Sequence, residues 1–155
     1  MADEPRIQDL SQDEQELIAA RQAQWVLFLE RAGIEPSGDE DSPELSDHLV
    51  RWWHRQKEGE RPDANDVVWS IGAVIGDILT EILPLEWKLV IDADGAEMAL
   101  VGQDTDGNDV TVFIIHAIAK RFGGHPDGFV VDFLNGLIEP LAQRFGLEPP
   151  DEEPA

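Results

Sequence analysis

A chain of 155 residues with 42% hydrophobic residues and five tryptophans carries enough apolar material for a folded core rather than disorder. Its net charge of −22 is spread along the chain, with 7 basic against 17 acidic groups in residues 1–66 and 4 against 16 in residues 67–155. Such a field opposes phosphate backbones and anionic membranes, and the absence of cysteine removes disulfides, thiol catalysis and cysteine-ligated metals.

The N-terminal ten residues, M-A-D-E-P-R-I-Q-D-L, are acidic and lack an apolar run, so no secretory signal is expected there. Ser11 and Glu14 have capping-box spacing and mark a helix start. Leu17, Ile18, Trp25, Phe28, Leu29 and Ala32 continue at helical intervals to a glycine cap at Gly33. After a polar link at Glu35 to Asp41, Ser42 reads as an N-cap with Pro43 in the first turn. Leu45, Leu49, Trp52 and Trp53 give that second helix its apolar stripe, which Gly59 ends, and the two helices are expected to form a hairpin over residues 11–58.

A third helix starting near Asp63 or Asn65 is apolar over a wide arc, from Val67 to Leu83, which predicts a central, buried position. Gly72 and Gly76 share one of its faces and allow a close neighbour there. Asp77 and Glu81 interrupt this run and Pro84 ends it, so it is too short and too charged to span a membrane. Three strands follow, at Glu86 to Ile91, Glu97 to Val101 and Val110 to Ile115, joined by turns at Asp92 to Gly95 and Gln103 to Asp109. Their pattern predicts an antiparallel meander. Ala117 to Phe122 reads as a short helix or turn, and Phe129 to Phe145 as a last helix kinked or split by Pro140. The expected fold is therefore α+β: an N-terminal helical hairpin, a buried glycine-containing helix, a three-stranded meander and C-terminal helices. One domain is expected over residues 10–147, the second part running from 63 to 145, with flexible acidic tails at 1–9 and 148–155.

The turn Gln103 to Val110 invites a calcium reading, because Asp104, Asp106 and Asn108 occupy the first, third and fifth positions of a hand-type loop. The sixth position is Asp109 rather than glycine, and the twelfth is Ile115 rather than a carboxylate. Asp92 and Asp94, in the other turn, lie at the opposite end of the middle strand, roughly 20 Å away at about 3.3 Å per residue. A hairpin turn is expected, with Asp104, Asp106 and Asn108 as the metal candidates it displaces, and no cofactor is expected.

No catalytic motif is present. His48, His54, His116 and His125 show no metal-ligand spacing, and no serine lies in a nucleophile elbow. His116 with Asp77 is an acid–base pair only if the fold joins them. Trp52-Trp53 lie about 100° apart on a helix, so both are buried only beneath a wide apolar face; either is a contact candidate if exposed. Lys120-Arg121 complements a helix C-terminus or supplies a cationic anchor.

The runs I-G-A-V-I-G-D-I-L (71–79), L-E-W (85–87), D-A-D-G (92–95) and I-A-K-R-F (118–122) resemble, over about residues 66–125, a bacterial family defined only as a domain of unknown function. The resemblance implies a bacterial source and transfers no activity, ligand or catalytic residue. The functional expectation is a cytoplasmic, non-enzymatic interaction protein for a basic partner, such as an immunity or inhibitor protein. The alternatives are a small hydrolase or metal-dependent enzyme, a mimic of nucleic-acid charge, and charge that serves only solubility or salt tolerance.

Overall fold

The computed structural model describes residues 6–35 and 41–147. Strand β1 (Arg6–Asp9) leads into helix α1 (Gln12–Ala32), followed by α2 (Ser42–Arg55), a short 3-10 turn at Glu58–Glu60 and the long α3 (Ala64–Ile82). Strands β2 (Glu86–Asp92), β3 (Gly95–Gln103) and β4 (Asp109–Val112) then precede α4 (Ile114–Phe122) and α5 (Val130–Arg144).

The helix boundaries follow local chemistry. Ser11 caps α1, its Oγ accepting from Glu14 N at 3.1 Å while Glu14 Oε1 accepts from Ser11 N at 2.8 Å, and Gly33 closes it in the left-handed region. For α2 the N-cap is Asp41 rather than Ser42, again with a capping box to Glu44, and the helix ends at Arg55, before Gly59. Asp63 caps α3. The N-terminus of α5 has no cap from its own segment. Asp47 on α2 supplies one, with Oδ1 accepting from Phe129 N at 2.7 Å and Val130 N at 2.6 Å, and Oδ2 from Val131 N at 3.1 Å.

All sheet pairing is antiparallel, in the order β1-β2-β3-β4. Four expectations need correction. The sheet has four strands rather than three, because Arg6–Asp9 pairs with Ile91 to Lys88 of β2 instead of belonging to a loose tail. Residues 1–5 and the expected C-terminal tail at 148–155 lie outside the described residues. The last strand stops at Val112, and Ile114-Ile115 begins α4. Of the kink or split expected at Pro140, the split is absent: the residue lies inside α5, which runs on as one helix from Val130 to Arg144.

The fourth correction concerns the hairpin. Trp25 Nε1 donates to Ser46 Oγ in the first turns of α2, at 3.0 Å, whereas Arg31 stands over Trp52 near its end. Contacts thus advance in the same direction along α1 and α2, opposite to a hairpin. The principal neighbour of α1 is α3, and that of α2 is α5.

Buried α3 organises the core. Ile71, Ile75 and Leu79 are fully buried among Leu49 and Val50 of α2, Leu100 of β3, Ile114 and Ile118 of α4 and Val130 of α5. Its two glycines admit two neighbours: a Cβ on Gly72 would collide with Ile115 of α4, and one on Gly76 with the indole of Trp87 on β2. Trp87, Leu89, Met98 and Leu100 turn toward the helices, while Val90, Ala99 and Val101 pack with Phe113 on the opposite sheet face.

Candidate functional site

Strand β1 covers only Lys88 to Ile91 of β2, so the edge of β2 is open at Glu86 and Trp87. A groove of about 860 Å³ lies at this open end, between α1, the C-terminal half of α3 and the β1–β2 edge. Its charged groups are Asp9, Asp77, Glu86 and Lys88.

Each has a partner. Asp9 and Lys88 face each other across the strand pair, with Nζ 2.5 Å from Asp9 Oδ1 and 3.4 Å from Glu86 Oε1. The hydrogen bond from Lys88 holds the Asp9 carboxyl below its usual range, and the same bond raises the Lys88 ammonium above its ordinary value. A lysine held protonated is a poor nucleophile near neutral pH, and a carboxyl held ionised is a poor general acid. Asp77 Oδ1 accepts from Trp87 Nε1 at 3.1 Å, and Gln22 Nε2 donates to Ala73 O at 3.2 Å. The arrangement orders side chains and carries negative charge; it contains no nucleophile paired with a base.

His116 and Asp77 are not joined. His116 is exposed and lines cavities beside Trp69 and Glu97, whereas Asp77 lies two helical turns beyond Trp69, about 12 Å along α3. His54 Nε2 donates to Phe122 O at 2.8 Å. Ser46 and Ser70 are buried and hydrogen-bonded, so neither hydroxyl faces a cleft.

The acidic turn is a latch between β3–β4 and α5. Asp104 Oδ1 accepts from the backbone N–H groups of Asp106 and Asn108, both at 2.9 Å, and Oδ2 from Arg144 Nη2 at 2.9 Å. Thr105 N donates to Arg144 O at 3.2 Å. The Asp104 side chain is only 7% exposed, and the hydrogen bond from Arg144, helped by the two amides, lowers its pKa. Asp106 and Asn108 take part in the turn through their backbone N–H groups, and no group of three or more His, Asp or Glu among the described residues is placed to hold a metal.

Trp52 and Trp53 are both half-buried against the core. Trp53 donates from Nε1 to Pro62 O at 2.9 Å, meets Phe122 edge-on at 4.9 Å and lies beneath the Arg61 guanidinium at 4.2 Å. Arg31 covers Trp52 at 5.7 Å. Arg121 folds back, donating to Ala117 O at 2.8 Å and stacking 4.6 Å from the Phe133 ring, while Lys120 is exposed. The sequence did not reveal the Asp9–Lys88–Glu86 cluster, because its members are brought together only by strand pairing between residues 79 positions apart.

These features define an α+β protein with a helix-covered, four-stranded antiparallel sheet. The model of the family described as Domain of unknown function (DUF3806) matches residues 48–127, and the chain belongs to that family. The match begins within α2, earlier than the expected start near residue 66, and ends before α5. Two of the short motifs behind the resemblance meet in space, since Gly76 of the glycine-spaced helix receives Trp87 of the Glu-Trp pair. Comparison with curated proteins and with solved structures finds no match.

Proposed function

We propose that the protein is a non-enzymatic interaction module, acting as one domain, that binds a basic protein in an inhibitor- or immunity-like role within the cytoplasm. The observation that carries this reading is how the charges are divided. Several of the cations are engaged within the molecule: Arg21 with Asp66, Arg31 with Glu60 O, Arg51 with Asp127 O, Arg61 with Gln56 O, Lys88 with Asp9, and Arg144 with Asp104. Most carboxylates, among them Glu16, Glu30, Glu81, Asp94, Asp106, Asp132 and Glu139, are exposed to water. The outer surface therefore presents an excess of negative charge that intramolecular pairing does not relieve, which favours encounter with a basic partner. The partly exposed Trp52 and Trp53, each with an arginine over its ring, and the exposed Lys120 beside Arg121, are candidate contact points at its margins.

Immobilised protein exposed to an extract of the source cell, at low and at moderate salt, tests the reading. The expected result is a basic protein, identified by mass spectrometry, that forms a stoichiometric, salt-sensitive complex when both components are purified. Failure to recover any salt-sensitive partner overturns it.

A further inference from the structure

Helix α1 has its polarity reversed over its middle turns. Between Leu17 and Leu29 its polar residues are Arg21, Gln22 and Gln24, all half-buried. Arg21 donates to Asp66 Oδ1 on α3 at 3.0 Å and to Gln24 Oε1 at 2.8 Å, and Gln22 donates to the Ala73 carbonyl of α3. The residues left in water are Ala19, Ala20, Ala23, Val26 and Leu27, with Leu17 alongside. At 100° per residue the first five span an arc of about 120°. Leu27 is 61% exposed, Val26 46% and Leu17 41%. A helix apolar on both faces is normally enclosed on both, and here packing against the rest of the chain covers only one.

Exposed Glu16 and Glu30 bound this face at its two ends, about 21 Å apart along the axis. They determine what can lie on it. In a two-fold antiparallel pair of α1 helices centred on Ala23, Glu16 of each copy would meet Glu30 of the other; a parallel pair would oppose identical glutamates. Both arrangements bring like charges together between chains of net charge −22. A helix with an apolar stripe and lysine or arginine at both ends satisfies the apolar centre and the acidic ends together. Alanines 19, 20 and 23 permit close approach of its backbone, and Val26 and Leu27 supply the projecting side chains.

We infer that the outward face of α1 is the docking surface for an amphipathic basic helix of the partner protein. This inference rests on the basic-partner reading and specifies its surface. The test uses full-length protein and a fluorescein-labelled leucine/lysine amphipathic helical peptide with lysines at both ends, followed by anisotropy at about 50 and about 300 mM salt. A leucine/glutamate peptide of the same pattern is the charge control. The leucine/lysine peptide is expected to bind, more weakly at high salt, and the glutamate peptide is not. Leu27→Asp should weaken binding by at least about tenfold although it adds negative charge, and Ala23→Glu should do likewise. Ile82→Asp, which places the same charge on an exposed residue at the end of α3, should leave binding unchanged or tighter. Circular dichroism checks that the variants are folded.

Salt-sensitive binding that Leu27→Asp and Ile82→Asp affect alike overturns the α1 surface while leaving the basic-partner reading standing. Absence of peptide binding also overturns this inference. A dimer of the free protein that Leu27→Asp dissociates makes the face a self-interface and overturns it too. The partner reading itself fails separately, through an empty capture experiment.

Discussion

Gly76 and Gly136 both lie inside helices, where glycine is about 0.5–1 kcal/mol less favourable than alanine. Their surroundings give the same substitution opposite signs. At Gly136 an added Cβ meets nothing within 4 Å, so Gly136→Ala should stabilise the protein by about 0.5–1 kcal/mol. At Gly76 it meets the Trp87 indole, whose Nε1 is also fixed by Asp77, so the ring has little freedom to retreat. Gly76→Ala should destabilise by about 1–3 kcal/mol. Urea denaturation of the two variants beside the wild type measures both, and equal effects would contradict the packing described. The close approach at Gly76 was legible in the sequence as glycine spacing on a buried face. That the neighbour is Trp87 was not, because a tryptophan in an alternating strand gives no sign of which helix it meets.

Elements differ in how far their signals travel along the chain. Helix α1 starts where Ser11 and Glu14 require, because both halves of the capping box lie within three residues. The cap of α5 comes from Asp47, some eighty positions away, and no local pattern announces it. Strand β1 was hidden for a related reason: all four of its residues are exposed, and its pairing with β2 rests on backbone hydrogen bonds rather than an apolar repeat. Ile114 and Ile115 carry strand propensity yet begin a helix, since packing of Ile115 against Gly72 outweighs it. The turn at Asp104 has its own consequence for acid stability. A carboxyl whose folded pKa lies below its ordinary 3.8 binds fewer protons when folded, so its contribution is present above that value and fades as pH falls through the folded pKa. Asp104→Asn should therefore be less stable than wild type at pH 7. The difference should shrink as pH drops below about 4. Urea midpoints of both proteins across pH 2–7 check this, and a difference independent of pH would show that the Asp104–Arg144 bond does not act through its charge.

Across the whole molecule, the same excess of carboxylates that favours a basic partner also works against the folded state. Folding gathers a net charge of −22 into a smaller volume, and the resulting repulsion is stronger than in the expanded chain. Salt screens it, with a Debye length of about 30 Å at 0.01 M falling to about 8 Å at 0.15 M. Salt also weakens favourable pairs such as Arg21–Asp66 and Lys88–Asp9, but these are short contacts, less sensitive to screening than repulsion summed over distant groups. The net effect should be a thermal midpoint that rises between about 10 and 150 mM sodium chloride, by about 2–4 °C for each kcal/mol of repulsion relieved. Potassium chloride should act equally. Calcium chloride at matched ionic strength should give no additional, saturating rise that depends on Asp106, because Asp104 already accepts three hydrogen bonds and offers the turn no open carboxylate. Thermal melts monitored by circular dichroism separate the cases: a midpoint that falls with sodium chloride would mean that attraction within the fold outweighs the repulsion of its surface.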